Sequence, residues 1–164
     1  MTSGYETPEL RNAALRTIAS HWRVTGIISA RSGSRLNLTS GVDNAFTGLA
    51  SQRPNKVSDD FYGAKTLTSY FNKDAFAQPA PGTLGNLQRN ATVGPNYWNV
   101  DIAISRLLAV AGTRKLELRL ESFNLFNHFN WGTPVTNFNA GTFGRITTQN
   151  GAPRIMQFGI KYDF

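Results

Sequence analysis

At 164 residues the chain is long enough for one folded domain, and its formal charge of +7 is spread without any run of lysines or arginines. Scattered basic residues argue against a nucleic-acid surface, which needs them clustered on one face. The absence of cysteine excludes disulfides, thiolate metal sites and cysteine nucleophiles. Charged residues make up only 16% of the chain, a composition more typical of β-structure with polar loops than of a cytosolic helical domain.

Neither a targeting signal nor a membrane-spanning helix is recognisable in the sequence. The stretch over residues 1–22 lacks the apolar core of a signal peptide, and no apolar run approaches the roughly 20 residues of a spanning helix. These two tests alone indicate a soluble cytoplasmic protein. The abundance of Asn, Gly, Thr, Ser and Phe favours β-structure instead, so the strand pattern has to decide the compartment.

The first predicted element is a short helix over residues 8–22, PELRNAALRTIASHW. Pro8 suits the first position of a helix, where a missing N–H costs nothing. Four apolar residues then recur at helical spacing: Leu10, Ala14, Ile18 and Trp22. The helix would be marginal on its own, and the part near residues 15–20 is compatible with an extended chain.

A first long strand is predicted over residues 21–32, with residues 35–41 as a short extension. Alternate residues of this strand share one apolar face: Trp22, Val24, Gly26, Ile28 and Ala30. Residues 41–96 then show little periodicity but contain six aromatic residues, too many for a disordered segment. We therefore expect an ordered large loop with short helical or strand pieces.

Two further strands are predicted over residues 97–108 and 115–127, joined by a short turn over 109–114. In the second of these strands an apolar face alternates with a charged one: Leu116, Leu118 and Leu120 against Glu117, Arg119 and Glu121. Such alternation places the two sets on opposite faces of a pleated sheet, because successive side chains point to opposite sides.

The chain ends with a long loop over residues 128–152 and a closing strand over residues 154–164. Within the loop, residues 143–149 are a candidate hairpin arm. The closing strand again alternates and ends on an aromatic residue. Chain ends are usually frayed and polar, so an apolar strand at this position calls for a functional reason.

Alternation of this kind also fits half-buried strands of a soluble antiparallel sheet. Three features favour a membrane barrel. The strands have about ten residues, enough to cross a bilayer when tilted, whereas globular strands usually have about five or six. Charges occupy the middle of the polar faces, and short and long connections alternate. The sequence therefore predicts an all-β fold: an antiparallel, up-and-down transmembrane β-barrel segment of about four long strands, with long extracellular loops.

The last strand carries apolar residues at alternate positions: Phe158, Ile160, Tyr162 and Phe164. This pattern is similar to the assembly signal with which outer-membrane barrel proteins end. The resemblance implies that the barrel-assembly machinery binds this strand by edge pairing. It would explain why the strand ends at the C-terminus, since the terminus itself is what is recognised.

Five stretches in order resemble the C-terminal end of TonB-dependent receptors, in particular the Oar-like group that begins with a carboxypeptidase-regulatory-like domain. They are residues 22–48, 71–90, 97–108, 116–134 and 143–164. NLFN at 124–127 matches the motif at the penultimate strand, and NGAPR at 150–154 precedes the final strand as in that family. The resemblance covers nearly the whole chain.

The resemblance implies a 22-stranded barrel closed by a plug domain in the Gram-negative outer membrane, energised by the inner-membrane TonB complex. The sequence departs from this pattern, since plug, TonB box and most of the barrel have no counterpart in it. We therefore expect residues 1–164 to be the C-terminal part of an outer-membrane barrel domain. The expected partners are lipid and lipopolysaccharide, the remainder of the barrel and plug, and TonB only through the missing N-terminal part.

Four charged residues are predicted to face the barrel lumen: Asp101, Glu117, Arg119 and Glu121. Cross-strand ion pairing is the simpler interpretation of their positions on neighbouring strands. Contact with a plug or a transported substrate is the alternative.

Catalytic and metal sites have little support in the sequence. His21 is at a strand start and His128 is in a loop, and neither has a carboxylate pair or cysteine near it in the chain. The segment 58–60, Ser-Asp-Asp, together with Asp43 lacks the spacing of a calcium-binding loop. We therefore expect no catalytic residue, no metal and no cofactor, and we expect that the protein is not an enzyme.

The loops carry aromatic and basic residues that are candidates for an external surface. The aromatic ones are Phe46, Phe61, Tyr62, Tyr70, Phe71, Phe129 and Trp131. Packing within the loops is the simpler interpretation, and stacking on sugars is the alternative. Basic residues at Arg53, Lys56 and Lys65 suggest contact with anionic lipopolysaccharide.

The sequence leads to one main hypothesis and two alternatives. The main hypothesis is part of an outer-membrane TonB-dependent receptor that takes up an unidentified substrate, located in the outer membrane. The first alternative is a small secreted β-sandwich that binds carbohydrate through its aromatic loops. The second is a passive porin, which would differ in having no plug.

Overall fold

The computed structural model describes residues 2–8, 11 and 19–164. Most of the helix predicted over 8–22 lies outside the described residues. Among the helical residues that the structure describes, none belongs to a segment both long and apolar enough to span a membrane. A short 3-10 helix covers Lys73–Ala75.

The strands fall into one large sheet and two small ones. The large sheet has five strands in the order β1-β2-β7-β8-β9, and β3 pairs with β6 and β4 with β5. The strands are β1 Thr2–Glu6, β2 Trp22–Arg31, β3 Arg35–Leu36, β4 Asn55–Lys56, β5 Phe76–Ala77, β6 Thr92–Val93, β7 Tyr97–Ala111, β8 Arg114–Phe123 and β9 Ile155–Asp163.

Two compact units divide the chain. The sheet unit comprises Met1–Ala30, Trp98–Phe129 and Gly151–Phe164. The loop unit comprises Arg31–Tyr97 and Asn130–Asn150. The large sheet therefore belongs mainly to the first unit, and the two long connections form the second.

Neighbouring strands of the large sheet are antiparallel. Between β7 and β8 Ile104 faces Leu120, and between β8 and β9 Leu120 faces Phe158. In the β2–β7 pair the Leu107 N–H donates to the His21 carbonyl at 3.1 Å. A Cβ added at Gly26, further along β2, would lie 3.7 Å from the carbonyl oxygen of Asp101, earlier in β7. These two contacts run in opposite order along the strands, so this pair is antiparallel too, and the predicted all-β antiparallel fold is confirmed.

The strands differ from the prediction in three ways: an additional strand, a shorter turn and an earlier end of β8. β1 was not expected, because TSGYE carries a single large apolar residue and so lacks a visible alternation. The turn predicted over 109–114 is shorter, since β7 continues to Ala111 and β8 begins at Arg114. Gly112 makes this tight turn with φ +58°, a conformation that glycine adopts without a steric penalty. β8 also ends at Phe123 rather than at 127, because Asn124 has φ +51° and turns the chain.

The apolar face of the large sheet is exposed along the last strand. Every residue of β9 is exposed, and the rings of Phe158 and Phe164 are exposed by 79% and 97%. By register, Phe158, Ile160 and Tyr162 continue the apolar face that Leu120, Leu118 and Leu116 form on β8. An uncovered apolar face of this kind is expected where the surroundings are lipid and not water.

The buried core lies in the loop unit. Its members are Leu38, Tyr70, Phe71, Ala75, Phe76, Leu87, Phe138, Phe143 and Ile146. The rings of Phe71 and Phe143 stack with centroids 5.9 Å apart, and Phe76 meets Phe143 edge to face at 5.8 Å. The connection over 41–96 is thus an ordered loop with short strands and one turn of helix, as predicted.

Two smaller predictions in the loops were wrong or too broad. The extension over 35–41 is a strand only at Arg35–Leu36, which pairs with Thr92–Val93. The hairpin arm over 143–149 is not a strand, because Gly144 turns the chain with φ +74° directly after Phe143. The segment contacts the chain near residues 131–135 through an isolated bridge between Gln149 and Trp131 and through separate backbone hydrogen bonds, such as the Val135 N–H to the Arg145 carbonyl at 2.9 Å.

Candidate functional site

The polar face of the large sheet forms an open pocket of about 310 Å³. Alternate residues of β2, β7 and β8 supply most of its lining, because side chains two apart point to the same side of a strand. The lining residues are Arg23, Thr25, Ile27, Asp101, Ile102, Ala103, Ser105, Glu117, Arg119, Glu121 and Phe123. A charged concave face opposite an apolar face is the arrangement of a barrel strand between lumen and lipid.

All four residues predicted to face the lumen line this pocket: Asp101, Glu117, Arg119 and Glu121. Arg119 and Glu121 form an ion pair of 2.6 Å. The pair lies along β8, two residues apart, which corrects the expected cross-strand arrangement. Arg119 faces Ser105 across one edge of β8 and Gly159 across the other, so its nearest carboxylate partner is on its own strand.

Asp101 joins the beginning of β7 to the end of β8. Its Oδ1 accepts a hydrogen bond of 2.7 Å from the Asn99 side chain and one of 2.8 Å from the Asn124 backbone N–H. The carboxylate thereby binds the chain where it leaves β8. This contact assigns Asp101 a structural task that the sequence alone did not indicate.

Asn124 connects the end of β8 to the start of β9. Its side chain is 5% exposed; the oxygen accepts the His128 N–H at 2.9 Å, and the amide donates to the carbonyls of His128 at 3.0 Å and Ala152 at 3.1 Å. Asn127 makes a similar contact, because its side-chain oxygen accepts a hydrogen bond of 3.1 Å from the Arg154 N–H. We call Asp101, Asn124 and Asn127 the asparagine latch.

Both asparagines of the latch adopt left-handed backbone conformations, with φ +51° at Asn124 and at Asn127. Asparagine tolerates this region better than other residues that have a side chain. NLFN at 124–127 was noticed in the sequence only as a family resemblance. Its two asparagines carried the available signal, but the partners Ala152 and Arg154 are more than 25 residues away and could not be found from spacing.

His128 takes part in an aromatic stack. Its ring lies 4.2 Å from the Trp98 ring with an angle of 27° between planes, and Phe126 lies 6.0 Å from the same tryptophan. Within the described part of the chain, no group of three or more His, Asp or Glu side chains is placed to hold a metal ion. The acidic candidates Asp43 and Asp59 have other partners.

Asp43 organises a tight loop. Its carboxylate accepts hydrogen bonds from the Thr47 N–H at 2.9 Å, the Gly48 N–H at 2.6 Å and the Gln52 side-chain amide. These donors, the Thr47 backbone above all, hold the pKa of Asp43 below its ordinary value of 3.8. Asp59 forms an ion pair of 2.7 Å with Lys56.

Some of the loop aromatics pack in or against the core, and others are exposed. Tyr62 and Tyr70 bracket Val93: its N–H donates to the Tyr62 hydroxyl at 2.8 Å, and its carbonyl accepts the Tyr70 hydroxyl at 3.2 Å. Burial, with a smaller contribution from Tyr62, raises the pKa of Tyr70. Phe61, Phe71 and Trp131 also pack in or against the core, whereas Phe46 and Phe129 are exposed.

The candidate assembly-signal residues, Phe158, Ile160, Tyr162 and Phe164, are all exposed. The rings of Tyr162 and Phe164 stack on each other with centroids 6.3 Å apart. β9 carries the first three of these residues and ends just before Phe164. It is an edge strand of the large sheet, so its outer edge is available for pairing with a further strand.

The comparisons with known proteins agree with this geometry. No curated protein and no solved structure matches the chain. A family model described as an outer membrane beta barrel domain matches residues 1–157. The match spans the strands of the polar pocket, both long connections and the asparagine latch. The chain therefore belongs to the outer membrane beta barrel domain family and is a protein of the outer membrane.

Proposed function

We propose that the chain forms part of a TonB-dependent receptor, with its strands in the barrel wall and its long connections on the cell surface. The observation that carries the proposal is the two-faced sheet: β8 has leucines on one side and the Glu117, Arg119 and Glu121 charges on the other. The five stretches that resemble the C-terminal end of such receptors support the same assignment. The function is uptake of a substrate, not catalysis.

The strand order supports a barrel completed by strands from outside the described set. Because each neighbour in the five-stranded sheet is antiparallel, β1 and β9 run in the same direction. They cannot pair with each other in an antiparallel barrel, and bacterial barrels of one chain have an even number of antiparallel strands. An odd number of further strands is therefore needed between β9 and β1, as the remainder of a receptor barrel would supply.

The lengths of the connections at the two ends of the sheet support one orientation of the strands across the membrane. The two-residue turn at 112–113 has the length of a periplasmic turn. At the opposite end of the sheet β2 and β8 end while β7 and β9 begin, so both long connections depart from and return to that end. In this orientation β2 and β8 run outward, and β7 and β9 run inward.

The polar pocket would then face the plug. Glu117, Arg119 and Glu121 stand on the concave side of the sheet, where a plug domain that fills the barrel would meet them. The ion pair between Arg119 and Glu121 is partly exposed and so remains accessible to a polar partner. We assign these residues to plug contact and not to a reaction.

β9 is the strand that the barrel-assembly machinery would bind. Deleting Phe164 should reduce the amount of chain in the outer membrane, because the exposed terminal ring is part of the binding pattern. The deletion is compared with Arg145→Gln, a change at an exposed residue of the loop unit that leaves β9 and its neighbour β8 intact. Fractionation of cells that express each form measures the effect; equal amounts in the outer membrane would contradict the assignment.

TonB coupling is tested in the native cells. An affinity tag placed in the turn at 112–113 leaves β9 free, and cross-linking before purification captures the polypeptide that completes the barrel. We expect a plug-bearing partner, and we expect uptake of the substrate to stop when TonB is removed. Uptake that continues without TonB would indicate the passive porin instead.

A further inference from the structure

The loop unit contains a second concavity, a groove of about 410 Å³. Its lining includes Arg35 of β3, Lys56 of β4 and the segment 86–91. The volume falls within the range of small-molecule sites in proteins, about 300–1,000 Å³. This groove is separate from the polar pocket of the large sheet, with which it shares no residue.

The groove has an excess of positive charge. Arg35, Lys56 and Arg89 line it, against a single carboxylate, that of Asp59. Lys56 engages this carboxylate at 2.7 Å. Among the residues that the structure describes, no carboxylate forms an ion pair with Arg35 or Arg89, so both guanidinium groups retain their capacity to bind an oxyanion.

Hydrogen bonds from backbone N–H groups to asparagine side chains fix the residues that line the groove. The Lys56 N–H donates to the Asn86 side chain at 2.7 Å, and the Asn86 N–H donates to the Asn55 side chain at 3.0 Å. Leu87 beside them is 2% exposed and anchors the segment in the core. At the far end the Asn90 N–H donates to the Asn37 side chain at 2.8 Å. A site fixed before binding loses less entropy when a ligand arrives.

Uncharged groups of the groove suit a sugar ring. Asn86 and Gln88 contribute side-chain amides, which donate and accept hydrogen bonds with hydroxyl groups. Phe61 contributes a half-buried ring, stacked at 5.4 Å on Phe76 of the core, which presents an apolar edge to C–H groups. Cations, amides and an aromatic ring together match an anionic saccharide better than a bare anion or a neutral sugar.

We propose that this groove binds a saccharide that carries a phosphate or carboxylate group, with the anionic group held by Arg35 and Arg89. The ligand could be a soluble sugar phosphate or the phosphorylated sugars of lipopolysaccharide, which share this chemistry. The inference goes beyond the proposed receptor function, because binding in the groove does not require TonB or a plug.

The test is calorimetric titration of the full chain in detergent micelles. The probes are glucose 6-phosphate, glucose and inorganic phosphate, each added to the unchanged chain and to the double variant Arg35→Gln/Arg89→Gln. The control is Arg114→Gln/Lys115→Gln, which removes the same charge near the turn at 112–113. We expect the sugar phosphate to bind more tightly than either other probe, and the groove variant to weaken it about tenfold or more.

A second variant distinguishes weaker ligand binding from loss of the folded structure. Asn86→Asp keeps the shape of the side chain and the oxygen that accepts the Lys56 N–H, but it adds a negative charge to the groove. It should weaken binding of the sugar phosphate while leaving the melting temperature nearly unchanged. Equal weakening by the control variant, or equal affinity for inorganic phosphate alone, would overturn the proposal.

The source of the ligand is decided by repeating the titration with purified lipopolysaccharide in the micelles. Binding of lipopolysaccharide that the groove variant weakens assigns the site to the cell's own surface glycolipid. Binding of glucose 6-phosphate alone assigns it to a soluble saccharide. Failure to bind any saccharide probe overturns the site itself and leaves the proposed receptor function standing.

Discussion

In the loop unit the large apolar side chains are inside, with Phe71 exposed by 3% and Phe76 by 4%, whereas in the sheet unit Phe158 and Ile160 are exposed by 79% and 75%. The two units draw on the same residue types and differ in where those residues point. The loop unit behaves as a water-soluble domain does, since it removes its rings from solvent. The sheet unit does the reverse, which is stable only where lipid covers the outer face.

Polar residues have two uses in the molecule. The sheet unit keeps Glu117, Arg119 and Glu121 on the face of the polar pocket, where water can solvate them. In the turns of both units, Asp and Asn side chains bind backbone N–H groups, as Asp43 does in the loop unit and the asparagine latch does in the sheet unit. Turns without regular pairing need such partners, because a buried backbone donor that lacks an acceptor is costly. Exposure of a large apolar side chain therefore has opposite consequences in the two units: it is unfavourable in the loop unit and suits the lipid-facing side of the sheet unit. The following substitutions test this difference.

Replacing Phe71 with Ala should have the largest effect. The buried ring contacts Tyr62, Tyr70 and Phe143 with centroids 5.2–6.0 Å away, and removing such a ring costs about 3–5 kcal/mol. Hydrogen exchange of the chain in detergent micelles should show lost protection in the loop unit and retained protection in the large sheet. Phe46→Ala, at a ring exposed by 77%, is the control; similar exchange in both variants would contradict the assigned core.

Replacing Leu120 with Lys should destabilise the sheet in lipid by about 2–4 kcal/mol, the cost of a charge on the lipid face of a barrel strand. Leu120 lies between Ile104 and Phe158 on the apolar face. Thr25→Lys places the same charge on the polar face and should change stability by less than about 1 kcal/mol. Urea titration in lipid vesicles measures both. Equal effects would mean that the two faces have been assigned wrongly.

Replacing Asn124 with Ala should cost about 1–3 kcal/mol, because carbonyl and N–H groups of His128 and Ala152 lose their partner. Asn124→Gly removes the same hydrogen bonds but accepts φ +51° without strain. The difference between the two variants isolates the backbone contribution, about 1–2 kcal/mol. Exchange of the amides near residues 128 and 154 reports whether the latch has opened. Protection that is unchanged in both variants would show that the latch does not hold β9.

The smallest effect should be a pH dependence confined to the Asp43 loop. Because the pKa of Asp43 is below its ordinary value of 3.8, the carboxylate stabilises the loop fully above that value. The stabilisation is lost as the pH falls through the lower, folded-state pKa. Amide exchange of Thr47 and Gly48 should therefore accelerate only in acid. Asp43→Asn should remove this acid dependence; if it persists in the variant, another group is responsible.

The strands were the most predictable part of the molecule. Alternation in residues 115–123 placed Leu116, Leu118 and Leu120 on one face, and the register with β9 has them there. Alternation of apolar and polar residues involves only neighbouring positions in the sequence, so it can be recognised without knowing which strands pair. β1 escaped prediction because its five residues include only Tyr5 as a large apolar side chain.

The candidate site was less predictable than the strands. Asp101, Glu117, Arg119 and Glu121 were expected on one face, and all line the polar pocket. The ion pair was expected across strands and lies along β8, because the residues that face Arg119 are Ser105 and Gly159. The groove in the loop unit was not foreseen, since Arg35, Lys56 and Arg89 are far apart in the chain.

By itself the sequence determined the strand faces, the apolar last strand and the aromatic content of the loops, because these depend on residue type and local spacing. Only the tertiary structure decided which loop aromatics are buried, which carbonyls Asn124 holds and which cations share a groove. Residues 36 and 92 pair across 56 positions, and no periodic signal links them. Contacts of that kind arise when irregular segments pack on a common core, and packing depends on shape in three dimensions and not on order along the chain.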